Sequence, residues 1–253
     1  MIPKVLHYCW FGQNPLPEDL KKCIESWQRI MKDYEIVVWD ETRFDINEPV
    51  FVKEAYQLKK WAFVADYVRL HALFSEGGIY LDTDVRVIKK FDEFLNAEFF
   101  SSIECHPSIM EEQNTKRYLY DDGTSKQPFT PIPGIGMQSA FLGSRRGHPF
   151  LQECLDYYKQ QHFLLPDGSY FDKIIAPTIL SMNSERYGFK YIDKDQCINN
   201  GMCIYDSKTF ASRPDFATEK SYAVHYCVGS WKEKIRQSTF RRFVNRLKNV
   251  CKG

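Results

Sequence analysis

The sequence predicts an α/β protein with a mostly parallel central sheet flanked by helices, and three observations carry that prediction. The first forty residues alternate strand, helix and strand at the spacing of a βαβ unit. An apolar helix later runs through a glycine pair into a short buried strand that ends on two aspartates. Composition agrees, because 253 residues that are 43% hydrophobic and 15% aromatic give one domain, or one domain with an appendage, around a large core.

Taken in order, Ile2 to Gly12 is an opening strand, and Gly12 to Pro17 is a turn-forming segment. Glu18 to Met31 follows as a helix and Tyr34 to Trp39 as a second strand, rich in β-branched and aromatic residues. From Ala62 onward, the spacing of Phe63, Val64, Tyr67, Val68, Leu70, Leu73 and Phe74 fits a mostly buried helix, and Gly77-Gly78 is its stop signal. Ile79-Tyr80-Leu81 is then a buried strand. Ser101 to Ile135 is polar and punctuated by proline and glycine, so it is expected as a long loop of the kind that forms lids and binding loops. Gly136 to Gly143 is a strand-like run, helices are expected at Pro149 to Gln161 and Tyr170 to Ser181, and Tyr222 to Tyr226 is a late strand.

Side chains alternate along a strand, so Asp82 and Asp84 leave on one face just past the end of theirs and can converge on one divalent cation. Hard oxygen ligands suit Mg2+ or Mn2+ rather than Zn2+. Asp66 and Arg69 stand three apart on one helix face, and opposite charges in an apolar run are expensive to bury. They either pair with each other at a helix edge or serve the site. In open α/β sheets the ligand sits outside the carboxyl ends of the strands, where Trp10 and the Asp82/Asp84 pair both emerge. Read from the residues alone, Trp10 is a core aromatic, and His7 and His225 are hydrogen-bonded core residues.

These blocks resemble a known family. Asp66-x-x-Arg69 followed by Gly77-Gly78-x-Tyr80-x-Asp82-x-Asp84 is similar to the sugar-nucleotide-binding region of glycosyltransferase family 32. So are the opening Ile2-Pro3-Lys4, His7 and Trp10-Phe11-Gly12, and the closing His225 with Ser230-Trp231. The resemblance spans most of the chain in a few short blocks. It implies a GT-A-type, Rossmann-like single domain over residues 1–231. It also implies metal-dependent, retaining transfer of a hexose from a nucleoside diphosphate sugar to a hydroxyl of a saccharide acceptor, in capsular or other surface polysaccharide synthesis. A UDP-sugar is the first expectation for the donor and GDP-mannose the second.

By the same resemblance Trp10 lies beside the nucleotide base, Asp82 and Asp84 hold Mn2+ or Mg2+, and His225 completes the metal shell. Arg69 sets a positive charge at phosphate or sugar, Asp66 accepts hydrogen bonds from sugar or ribose hydroxyls, and Tyr80, Ser230 and Trp231 contact the donor. Gln138, in preference to Ser139, lies under the donor sugar. The chain departs from the family pattern at Ile175-Ala176-Pro177, where members often carry Thr-Gly-Pro, and in the adjacency of Ser230 and Trp231. With no carboxylate assigned beneath the anomeric carbon, same-face attack is expected over double displacement. Acceptor recognition is expected in the 101–135 loop.

Other classes fit less well. A haloacid-dehalogenase phosphatase also uses D-x-D, but it expects Thr or Val where this chain has Arg86, and an earlier position in the chain. A nucleotide-sugar-binding protein without turnover and a toxin-like effector that glycosylates a protein side chain both stay open. No apolar run is long enough to span a membrane and no signal core opens the chain, so a cytoplasmic location is expected. The eight cysteines show no C-x-x-C spacing and are expected as reduced, mostly buried thiols. Residues 232–253 hold eight basic residues against the single acid Glu233, with Phe240, Phe243, Val244, Leu247, Val250 and Cys251 at helical spacing. This basic amphipathic C-terminal helix either contacts an anionic membrane, bringing the enzyme to a lipid-linked acceptor, or packs on the protein itself. The acidic remainder carries no nucleic-acid motif, so nucleic acid is not expected as a partner.

Overall fold

The computed structural model describes residues 1–227. Ser230, Trp231 and the basic helix expected over 232–253 lie outside the described residues.

The chain opens with β1 (Val5–Cys9), α1 (Glu18–Ile30) and β2 (Glu35–Trp39), and β2 pairs in parallel with β1 from Val5↔Glu35 to Cys9↔Trp39. Helix α1 has Glu18 and Asp19 in its first turn, where negative charge suits the helix dipole, and buries Leu20, Cys23 and Trp27. A short helix absent from the sequence reading, α2 (Val50–Gln57), precedes α3 (Trp61–Glu76). Helix α3 stops at Gly77, with φ of 71°, and β3 (Gly78–Leu81) begins at once beside β1. Gly78 has φ of 109°, and a Cβ there would lie 2.8 Å from the Val5 carbonyl oxygen and 2.9 Å from His7 Nε2. Conformation and space both require the glycine.

After β3 come β4 (Val85–Val87), β5 (Phe99–Cys105), α4 (Pro107–Glu112), β6 (Ile135–Met137) and β7 (Phe141–Ser144). Two expectations need correction here. The loop expected from Ser101 begins inside β5, because Ser101 and Ser102 are buried and their hydroxyls are spent on backbone carbonyls. The strand expected over 136–143 is two strands separated by Gln138 to Ala140. Then follow α5 (Pro149–Lys159), α6 (Ala176–Ser184), β8 (Gln196–Ile198), β9 (Met202–Tyr205), β10 (Phe210–Ala211) and β11 (Ala223–His225). Helix α6 begins six residues later than expected, with Pro177 in its first turn, the helical place that suits proline.

The large sheet has the order β2-β1-β3-β7-β5-β9-β8, with β6 paired to β5. Strands β2, β1, β3, β5 and β9 run one way and β7, β8 and β6 the other, so the mostly parallel sheet expected from the sequence is present. A second sheet, β10-β11-β4, stands beside it. One core cluster joins residues of α2, α3, α5 and α6 to the large sheet. The other joins Trp27 of α1 to Leu6, Phe91, Phe94, Phe141 and Phe210. The sheet is thereby covered on both faces, as largely parallel sheets are. Among the described residues no helix is long and apolar enough to cross a membrane. Cys9, Cys23 and Cys154 are buried, Cys105 and Cys203 partly so, and Cys197 and Cys227 exposed; the thiols are free but less uniformly buried than expected.

Candidate active site

The carboxyl ends of β1 and β3 open into a cleft of about 640 Å³. Asp82 follows β3 directly; its N–H donates to the Ala140 carbonyl at 3.1 Å and its carbonyl accepts from Val85 N at 3.0 Å. Asp82 and Asp84 therefore sit in a tight turn between β3 and β4. Strand β4 pairs antiparallel with β11, Val85 opposite His225, which brings the imidazole alongside that turn. Ligand atoms of Asp82, Asp84 and His225 all lie within 4.8 Å of one another. His225 Nε2 is 3.1 Å from Asp84 Oδ1 and 4.0 Å from Asp82 Oδ2.

Two carboxylates and one imidazole on a common centre fit Mg2+ or Mn2+, which favour oxygen donors supplemented by substrate phosphate and water. Burial lowers the pKa of His225, but the charge and hydrogen bond of Asp84 outweigh it, with help from Cys227, and hold the ring well above its ordinary value.

Arg69 joins this centre to α3. It is buried; Nη2 lies 2.8 Å from Asp66 Oδ1, and Nη1 lies 3.2 Å from Asp82 Oδ1 and donates to the Ser139 carbonyl at 2.9 Å. Its guanidinium stands 4.7 Å above the ring of Tyr80, whose hydroxyl donates to Asp82 Oδ1 at 2.8 Å. The two readings of Asp66 and Arg69 thus merge, since the pair exists and Arg69 also continues to the aspartate of the motif. Burial pushes the Asp66 carboxyl up to about 6, with Asp82 adding to the rise and Arg69 opposing it.

Trp10 is half-buried on the cleft wall, its indole N–H bonded to the Asn14 carbonyl at 2.6 Å. Gln138 also lines the cleft and is buried. Its amide nitrogen donates to the Ser102 hydroxyl and, at 2.7 Å, to the Phe210 carbonyl, while Oε1 has no partner among the described residues. His7 is a core residue: Trp39 donates to its Nδ1 at 3.0 Å, which leaves Nε2 to donate to the Gly77 carbonyl at 2.8 Å. The cleft also takes Trp61, Thr83, Glu104 and Cys227, none of which the sequence reading singled out. Trp61 had a usable signal, as a large aromatic opening the helix that bears Asp66. Ser230 and Trp231 fall outside the described residues.

Residues 17–101 match the family model described as a glycosyltransferase sugar-binding region containing a DXD motif. The chain is 32% identical over 106 residues to an uncharacterised glycosyltransferase of Acanthamoeba polyphaga mimivirus, a match that covers 40% of this chain and 42% of the relative. It is 33% identical over 162 residues to inositol phosphoceramide mannosyltransferase 3 of Schizosaccharomyces pombe, covering 61% of this chain and 36% of that protein. The chain therefore spans less than half the length of either relative. In fold it is similar to the galactosyltransferase LgtC solved with donor and acceptor sugar analogues, with a TM-score of 0.51 at 14% identity over 95% of this chain and 94% of that one. Mouse xyloside xylosyltransferase 1 gives a TM-score of 0.50 at 13% identity, over 88% and 97% of the two chains. The fold is GT-A.

Proposed function

We propose that this protein is a retaining glycosyltransferase that moves a hexose from a nucleoside diphosphate sugar to a hydroxyl of a saccharide acceptor. The observation that carries the reading is the convergence of Asp82, Asp84 and His225 in a cleft that Trp10 also lines. A diphosphate is doubly anionic, and the described centre offers it a cation site rather than a row of basic side chains. Mn2+ or Mg2+ held there would act as a Lewis acid on the departing nucleoside diphosphate.

The protein's own groups supply orientation and electrostatics. Arg69 and the Tyr80 hydroxyl hold Asp82 in place, and Arg69 offsets the charge of two carboxylates in a partly buried site. Trp10 offers an aromatic face to the base. Asp66 accepts hydrogen bonds from sugar or ribose hydroxyls at the cleft. The unpartnered Oε1 of Gln138 is an acceptor waiting for a donor group, which a sugar hydroxyl supplies. No carboxylate takes the place of Gln138, which favours same-face attack with the leaving phosphate receiving the acceptor proton. By resemblance, Ser230 and Trp231 are assigned contacts with the diphosphate.

A UDP-hexose is the first choice of donor. The Schizosaccharomyces relative's name supports GDP-mannose as the second and a lipid-borne acceptor, toward which the basic segment 232–253 would draw the enzyme at an anionic membrane face. Surface polysaccharide synthesis is the setting this suits. The test is a panel of UDP- and GDP-sugars with Mn2+, scored for free nucleoside diphosphate with and without EDTA. Metal-dependent release from one donor is expected; silence across the panel, with no donor binding by calorimetry, would overturn the reading.

A further inference from the structure

We infer that Cys227 is a positioning residue for His225, fixing the ring in the tautomer that aims the Nε2 lone pair at the cation site. The inference rests on the reading of Asp82, Asp84 and His225 as a metal centre and adds the group that holds it in register.

The parallel pairing of β10 with β11, Phe210↔Ala223 and Ala211↔Val224, carries the next residue, Ser212, to the level of His225. Two residues beyond His225 the backbone turns sharply, with Cys227 at φ of 51° in the left-handed region. That turn folds the thiol back onto the strand it has just left. Cys227 Sγ lies 3.2 Å from the Ser212 carbonyl oxygen and 3.4 Å from His225 Nδ1.

Donor and acceptor roles follow from the chemistry of each group. A carbonyl oxygen only accepts, so the thiol proton points to Ser212. The sulfur then has only its acceptor capacity left for His225, and Nδ1 must carry the proton. A neutral imidazole protonated on Nδ1 bears its lone pair on Nε2. Nε2 lies 3.1 Å from Asp84 and 4.0 Å from Asp82; without metal it donates a proton to Asp84, and a bound cation would take that proton's place while Nδ1 keeps its own. Metal-bound histidines generally have the second ring nitrogen fixed by a carboxylate, carbonyl or water. In this chain a thiol does it, itself held by the backbone of the smaller sheet.

The arrangement predicts a particular pattern among variants. Cys227→Ala leaves Nδ1 with no fixed partner, so either tautomer and a range of ring orientations become accessible. Cys227→Ser keeps a group that donates to Ser212 and accepts from Nδ1.

The experiment titrates Mn2+ into the metal-free protein and follows free Mn2+ by electron paramagnetic resonance, for the parent, Cys227→Ala, Cys227→Ser and His225→Ala. Circular dichroism melts confirm that each variant folds. Cys227→Ala is expected to weaken Mn2+ binding about 10–100-fold, with Cys227→Ser recovering most of the loss. Parent-like binding in Cys227→Ala, while His225→Ala binds poorly, overturns the role of Cys227 and leaves the metal centre standing. Parent-like binding in His225→Ala overturns the metal-centre reading itself, and the role of Cys227 with it. A second readout is the long-range proton–nitrogen spectrum of the Mg2+-loaded protein. It should place the His225 proton on Nδ1; a proton on Nε2 overturns the inference.

Discussion

Val85 and His225 stand opposite each other in the antiparallel pairing of β4 with β11, and that register sets the imidazole beside Asp84, the residue before Val85. The next residue, Tyr226, reinforces it by donating its N–H to the Asp84 carbonyl at 3.1 Å. Two strands of three residues, 138 positions apart in the chain, thus assemble the candidate metal centre.

Asp84→Ala is expected to abolish turnover while leaving the fold intact. The substitution removes a charged side chain from a turn at the cleft rather than apolar volume from the core. A loss of at least about 10²–10³-fold in kcat follows if the leaving group depends on the cation. The check is nucleoside diphosphate release with Mn2+ present, alongside a thermal melt; full activity in the variant would sink the site assignment.

Trp10→Ala should act on donor affinity more than on chemistry. Base–aromatic stacking contributes about 1–3 kcal/mol, so the donor KM should rise about 5–150-fold with kcat little changed. Steady-state kinetics with the accepted donor decides this. A fall in kcat at unchanged KM would move Trp10 away from the base.

Tyr80→Phe removes only the hydroxyl that holds Asp82 Oδ1 and keeps the ring beneath Arg69. The stability cost should be about 1 kcal/mol, while the Mn2+ concentration for half-maximal activity should rise about tenfold or more. A metal titration of activity tests it. An unchanged titration would mean that Arg69 alone positions Asp82.

Stability between pH 4 and 6 should report on Asp66. Its carboxyl is raised to about 6 in the folded protein, chiefly by burial, against 3.8 ordinarily. Between those values the folded state keeps a proton that the unfolded chain has lost, so stability from this group is full below 3.8 and declines as pH rises through 6. Metal-free melts should therefore show Tm falling more steeply over this window in the parent than in Asp66→Asn. Parallel curves would place the carboxyl in its ordinary range.

What the sequence makes legible here is local. Helix α3, the Gly77-Gly78 stop and β3 follow from spacing and from a conformation that only glycine tolerates at low cost. The run 136–143 has the pattern of one strand but forms two, because the backbone of Gln138 to Ala140 leaves the ladder for the site. Gln138 N donates to Ser102, the Ser139 carbonyl accepts from Arg69, and the Ala140 carbonyl accepts from Asp82. Strand β5 was hidden by its serines, which look like loop residues until their hydroxyls are seen bonded to carbonyls of Gln138, Phe141 and Phe210. The approach of His225 to Asp84 has no periodic signature, because strands of three residues carry none. Only the resemblance to a family points to it, and nothing in the sequence pattern points to the chemistry of Cys227.

Strand β7 runs between β3 and β5, antiparallel to both, so the segment that carries the family signature, residues 17–101, does not contain the strand that joins its own two parts. It lacks β1 as well, the strand that separates β2 from β3. Excised, that segment would present open strand edges on each side of every gap, a template for self-association rather than a folded unit. The stretch that the family model recognises is therefore not a stretch that can be transplanted; any chimera that borrows this candidate site must bring β1, residues 141–144 and the β11 strand of His225 with it.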